Sequence, residues 1–175
     1  MVIIITGLTG SGKTEAANII SNKCSSIIVN TDKVREIIFD GVKADKSGDF
    51  TDEHLKYVYR SLPAILYYTK IFNGSRCVVF DGSFRLRKQR CRLRNMSKMI
   101  CDEVVTMKIV ATPSIVKKRL KKRKEREGQS GVYNTYLKVK SEYEEPDQAL
   151  EISNEGTLSE LEDKLINKLR QLGLV

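Results

Sequence analysis

Gly7-Leu8-Thr9-Gly10-Ser11-Gly12-Lys13-Thr14 fits the pattern G-x-x-x-x-G-K-[ST], the Walker A phosphate-binding loop. Such a loop curls so that successive backbone N–H groups point at phosphate oxygens, and the helix that follows adds partial positive charge at its N-terminus. Gly7, Thr9, Gly10, Ser11 and Gly12 are the backbone cradle expected to hold ATP. Lys13 is placed to reach the β- and γ-phosphates, and the Thr14 hydroxyl to ligate Mg²⁺.

Three further groups could act on a triphosphate held there. Thr31-Asp32-Lys33-Val34-Arg35 lies just past a short apolar run at 26–30. If that run is a strand of an open α/β sheet, its carboxyl end faces the ligand crevice. Asp32 can then accept a proton from an attacking hydroxyl, and Arg35, three residues on, can hold a phosphate of the acceptor. The plainer alternative makes Asp32 an acidic residue favoured by a helix N-terminus and Arg35 a surface cation. Val78-Val79-Phe80-Asp81 is an apolar run ending in Asp, the Walker B pattern, so Asp81 is the second expected Mg²⁺ ligand. Gly82-Ser83 then turns toward Arg85 and Arg87, expected on the acceptor side. Finally Arg119 and Arg123 stand four apart, on one helix face, before a Gly-containing break at 127–131. Arginines closing over a transferring phosphoryl group stabilise its developing charge, and a helix entering a glycine-containing loop is how a lid is built. Lys13, Asp32, Arg119 and Arg123 are therefore the expected catalytic residues.

The elements that must position these groups alternate strand and helix, which argues an α/β fold with a mainly parallel sheet. Strands are expected at 2–6, 26–30, 77–81, 104–111 and 149–153, most of them continuous apolar runs that suit a sheet covered on both faces. A helix at 51–72 carries Leu55, Val58, Tyr59, Leu62, Ile65, Leu66 and Phe72 on one stripe, with Pro63 expected to kink or split it and Asn73-Gly74 to end it. Thr112-Pro113 opens the basic helix. Thr157-Leu158-Ser159-Glu160 is a capping box for a last helix whose Leu158, Leu161, Leu165, Leu169 and Leu172 face the core.

At 175 residues the chain is expected to form a single domain, with a lid at about 117–135. No stretch approaches the ~18 apolar residues of a membrane span. The N-terminus runs directly into a strand and the phosphate loop, unlike a cleavable signal, so a cytoplasmic location is expected. Cys24, Cys77, Cys91 and Cys101 form no C-x-x-C pair, and His54 is the only histidine, which argues against a zinc site. The net charge of +9 is concentrated: residues 85–94 and 117–126 hold 14 of the 31 cations. The rest of the chain has 17 basic and 21 acidic residues. Clusters of this kind suit a polyanion, ATP phosphates or nucleic acid, although a solvated helix face explains 85–94 equally well.

Taken in order, these motifs resemble the P-loop kinase group that includes phage-type polynucleotide 5′-hydroxyl kinases, seryl-tRNA kinases and zeta-toxin-like kinases. TDKVREIIF is similar to that group's [ST]-D-x-x-R-x-x-x-F segment and VVFDGSF to its V-x-D-A-T-F strand end. RLKKR followed by YLKVKSEYEEP resembles its lid arginines and the next helix. The resemblance implies a three-layer α/β/α P-loop fold with a five-stranded sheet in kinase-type order and a helical lid. It also implies Asp32 as general base, Arg35 on the acceptor phosphate, and lid roles for Arg119 and Arg123. Gly82-Ser83 departs from the group's Ala-Thr, and Asp81-Gly82-Ser83-Phe84-Arg85 also resembles the D-G-F-P-R of adenylate kinases.

The function these observations favour is ATP-dependent transfer of a γ-phosphate to a hydroxyl, most simply on a nucleic-acid end or tRNA. Two alternatives stay open: a nucleoside monophosphate kinase, and a non-enzymatic nucleotide-dependent RNA-binding factor.

Overall fold

The structure is a computed structural model that describes residues 1–39, 52–72, 74, 77–101, 103–127 and 132–175. The proposed break at 127–131 falls mostly outside this set, as does Asn73. Five strands, β1 (Val2–Thr6), β2 (Ile27–Asn30), β3 (Val78–Asp81), β4 (Val104–Val110) and β5 (Leu150–Ser153), form one sheet in the order β2-β3-β1-β4-β5. Every pairing is parallel. Each strand lies within one residue of its expected bounds.

Between the strands run α1 (Lys13–Cys24), α2 (Thr31–Ile38), α3 (Asp52–Ile71), α4 (Arg87–Lys98), α5 (Pro113–Glu127), α6 (Val132–Ser141) and, last, α7 (Leu158–Gln171). Side chains alternate across a strand, so β1 serves two cores. Ile3 and Ile5 pack with Ala16, Ala17 and Ile20 of α1 and Leu161, Leu165 and Leu169 of α7. Val2 and Ile4 pack with Val58, Leu62 and Leu66 of α3 and Leu93 of α4. The result is the three-layer α/β/α arrangement, and the unbroken apolar strands follow from burial on both faces. A third cluster joins Val116 and Leu120 of α5 to Tyr136 of α6, with Leu8 of the phosphate loop against it.

Two expectations change. Pro63 does not split α3, which is assigned as one helix from Asp52 to Ile71. Buried residues on both sides, Val58, Tyr59 and Leu62 before and Leu66 and Thr69 after, hold the two halves to one core. Leu158 and Phe72 are exposed rather than core-facing. Both sit at the end of a helical stripe, where the stripe has passed the core it covers, and Phe72 stacks instead on Tyr68.

Candidate active site

Sheet register builds the site. Asp81 is paired with Ile5 on one side and Asn30 on the other, so the carboxyl ends of β1, β2 and β3 finish side by side. The phosphate loop leaves β1 at that level. Gly7, at φ +142°, lies where a Cβ would fall 2.4 Å from the Ile109 carbonyl oxygen, so only glycine lets the chain turn there.

Asp81 is buried, and its Oδ2 accepts two hydrogen bonds, from Thr14 Oγ1 at 2.8 Å and from Asn30 Nδ2 at 2.7 Å. A carboxylate beside a hydroxyl offers the hard oxygen ligands that Mg²⁺ takes, so Thr14 and Asp81 fit the metal role assigned from sequence. Asn30 was not anticipated. It is also the N-cap of α2, its Oδ1 accepting from the backbone N–H groups of Asp32 and Lys33 at 3.0 Å. The signal was present, because Asn before a helical pattern is a preferred cap, but nothing local pointed to its second partner.

Asp32, the second residue of α2, is therefore joined to Asp81 through Asn30, its backbone N–H donating to the Asn30 side chain that in turn donates to Asp81. Its carboxylate is 71% exposed and pairs with Arg35 at 2.9 Å, while the Arg35 side chain is buried. The pair spans one helical turn, as the D-x-x-R spacing requires. Lys13 lies at the start of α1 and its ammonium donates to the Leu8 carbonyl at 2.9 Å. Burial pushes its pKa down, and the Arg123 charge adds to this; Asp81 and Asp32 act the other way. Lys13 is thus close enough to Asp81, Asp32 and Arg123 to feel the charge of each.

Arg119 reaches the loop itself. Its guanidinium donates to the Ser11 carbonyl at 3.3 Å and to Asn154 Oδ1 at 3.1 Å. At about 100° per residue, α5 directs Arg119 and Arg123 to one side and Val116 and Leu120 to the core. Lys117, Lys118, Lys121, Lys122 and Lys124 point outward and are exposed.

Arg85 and Arg87, expected on the acceptor side, are both engaged in ion pairs. Arg85 is buried and pairs with Asp52 at 2.9 Å and Glu142 at 2.5 Å, and Arg87 pairs with Asp147 at 2.9 Å. Their neighbours share this work. Arg90, also buried, donates to the carbonyls of Phe84 and Glu144, both at 2.6 Å, and to that of Glu145 at 3.1 Å. Arg94 donates to Thr106 Oγ1 at 3.1 Å. Much of the basic run at 85–94 is a clamp on the segment that returns from α6 to β5.

Solved structures share this fold along the whole chain. A gluconokinase from Sinorhizobium meliloti 1021 is 18% identical with a TM-score of 0.69, over 98% of this chain and 92% of that one. The APS kinase CysC of Mycobacterium tuberculosis, in complex with AMPPNP and APS, is 16% identical with a TM-score of 0.69, over 97% and 96%. Chaetomium thermophilum Kti12, in complex with ADP-AlF3, is 14% identical with a TM-score of 0.68, over 97% and 98%. No curated protein matches the sequence. No helix among the described residues is long and apolar enough to cross a membrane. A family model described as AAA domain (AAA_33) matches residues 2–146, and with the phosphate loop, Asp81 and the parallel sheet all inside that span, the chain belongs to this family.

Proposed function

We propose that this protein is an ATP-dependent phosphotransferase, one domain with α5 and the start of α6 as its lid, that moves the γ-phosphate to a hydroxyl acceptor. The observation that carries the reading is the hydrogen-bonded chain Thr14–Asp81–Asn30–Asp32. It ties the loop that would hold the donor to the backbone of Asp32, whose carboxylate faces outward. In the transfer, the acceptor oxygen bonds to the γ-phosphorus, the bond from that phosphorus to the β–γ bridging oxygen breaks, and the acceptor proton passes to Asp32. Arg35 holds the Asp32 carboxylate in place. Lys13, with Arg119 and Arg123 on the lid, balances charge on the phosphoryl oxygens. Mg²⁺ on Thr14 and Asp81 would neutralise the β- and γ-phosphates.

Two acceptor classes are supported by different observations. The gluconokinase and APS kinase folds point to a small hydroxyl compound. A nucleic-acid hydroxyl is supported by the outward lysines of α5, whereas α4 supports it less, because Arg87, Arg90 and Arg94 are engaged with the segment between α6 and β5. The test is a labelled γ-phosphate transfer panel: RNA, DNA and tRNA ends, AMP and CMP, adenosine phosphosulfate, sugar acids and simple polyols. Transfer to one class assigns the acceptor. ATP binding with no transfer to any member, together with RNA binding of steep salt dependence, would replace the enzyme by a nucleotide-dependent binding factor.

A further inference from the structure

Asn154 is the first residue after β5 and is 6% exposed. Its backbone N–H donates to the Val110 carbonyl at 2.7 Å, which fixes it to the end of β4. From that anchor its side chain reaches the phosphate loop. Nδ2 donates to the Ser11 carbonyl at 2.8 Å, and Oδ1 accepts from Arg119 at 3.1 Å. Gly12 lies against it so closely that a Cβ there would sit 2.1 Å from Nδ2.

The chemistry of a phosphate loop gives this contact a purpose. The loop works by aiming N–H groups inward. In a trans peptide the C=O and N–H point in opposite directions, and the chain has no cis peptide among the described residues. The peptide joining Ser11 to Gly12 therefore has a choice of two faces. A donor that holds the Ser11 carbonyl outward holds the Gly12 N–H toward the phosphates. Gly12, at φ +95°, has no side chain to restrain that rotation.

We infer that Asn154 is a positioning residue of the phosphate site: it locks the Ser11–Gly12 peptide so that the Gly12 N–H faces the phosphate chain, and holds the lid residue Arg119 against the same carbonyl. The inference rests on the phosphate-binding reading above. It extends the site to β5, outside the matched family span.

Asn154→Asp separates the two halves of this role. The substitution is nearly isosteric and strengthens the pairing with Arg119, but it replaces the donor to the Ser11 carbonyl by a second acceptor. Binding of ATP·Mg and of inorganic tripolyphosphate is measured by calorimetry for the wild type, Asn154→Asp and Asn154→Ala, with unfolding midpoints recorded without ligand. Loss of one neutral hydrogen bond predicts about a 5–10-fold rise in Kd for both ligands in Asn154→Ala. Asn154→Asp is expected to be at least as weak, and in turnover the defect appears in KM for ATP more than in kcat. Wild-type affinity for tripolyphosphate in Asn154→Asp, with an unshifted midpoint, overturns the inference and leaves the phosphate-binding reading standing. A wild type that binds neither ligand overturns both. If Asn154→Ala does not fold, the isosteric Asn154→Asp decides alone.

Discussion

The Thr14 hydroxyl donates a 2.8 Å hydrogen bond to Asp81, 67 positions further along the chain. Parallel register makes this possible, because Ile5 opposite Asp81 brings the end of β3 level with the start of the phosphate loop. The same oxygen of Asp81 accepts from Asn30, so the metal-fitting pair and the cap of α2 share one atom.

That sharing predicts a defect at Asn30. Partners that orient a metal ligand typically change metal affinity by about 10–100-fold when removed. Asn30→Ala should raise the Mg²⁺ concentration needed for half-maximal turnover by that order, and should cost about 1 kcal/mol of stability through the lost cap. Asn30→Asp restores the cap but not the donor to Asp81. Its Mg²⁺ titration should therefore stay shifted while its unfolding midpoint recovers.

The clamp formed by α4 predicts where its charge matters. Arg90 is buried and serves three backbone carbonyls, so Arg90→Ala leaves them without their donor and should cost about 2–5 kcal/mol in denaturant unfolding. Lys88→Ala and Arg92→Ala, on exposed positions of the same helix, should fall within about 0.5 kcal/mol of wild type. A neutral Arg90→Ala would return the basic run to the surface role first expected of it.

The outward lysines of α5 give a separate test of the nucleic-acid acceptor. If RNA or DNA lies on that face, replacing Lys117, Lys121 and Lys124 by Ala should lower the slope of log K against log salt by about 1 per lysine. Binding of ATP should not change, because Arg119 and Arg123 occupy the other side of the helix. An unchanged salt slope assigns those lysines to solvent.

Cysteine chemistry should follow burial. The Cys77 thiol is 1% exposed, and burial pushes its pKa up to about 11, well above that of an ordinary thiol. The folded state keeps this proton longer than the unfolded chain does. The stability linked to it is full below pH ~9 and is lost as pH rises through ~11, by on the order of 2–3 kcal/mol. At pH 8 a thiol reagent should label exposed Cys91 first and reach Cys77 only on unfolding.

The strands, the Thr14–Asp81 pairing and the Asp32–Arg35 pair were legible because their signals are local. The glycine spacing, the apolar run before Asp81 and the D-x-x-R step each fit within a few residues. What stayed hidden depends on distant pairing. Asn154 is recognisable only beside Ser11, 143 residues earlier. The arginines of α4 looked like a surface patch because composition records charge but not direction, and Arg90 turns inward to carbonyls 54 and 55 residues later. Asn30 could be read as a cap but not as a partner of Asp81, since only strand register brings the two together.

The central claim is that Asp32 takes the acceptor proton. The direct measurement is γ-phosphate transfer by Asp32→Ala to the best acceptor of the panel, with ATP affinity measured in parallel. A general base contributes about 10²–10⁴-fold, so transfer should fall by that factor while ATP binding stays within about twofold of wild type. Full transfer by Asp32→Ala would contradict the account, and would leave the phosphate loop with another group to activate the hydroxyl.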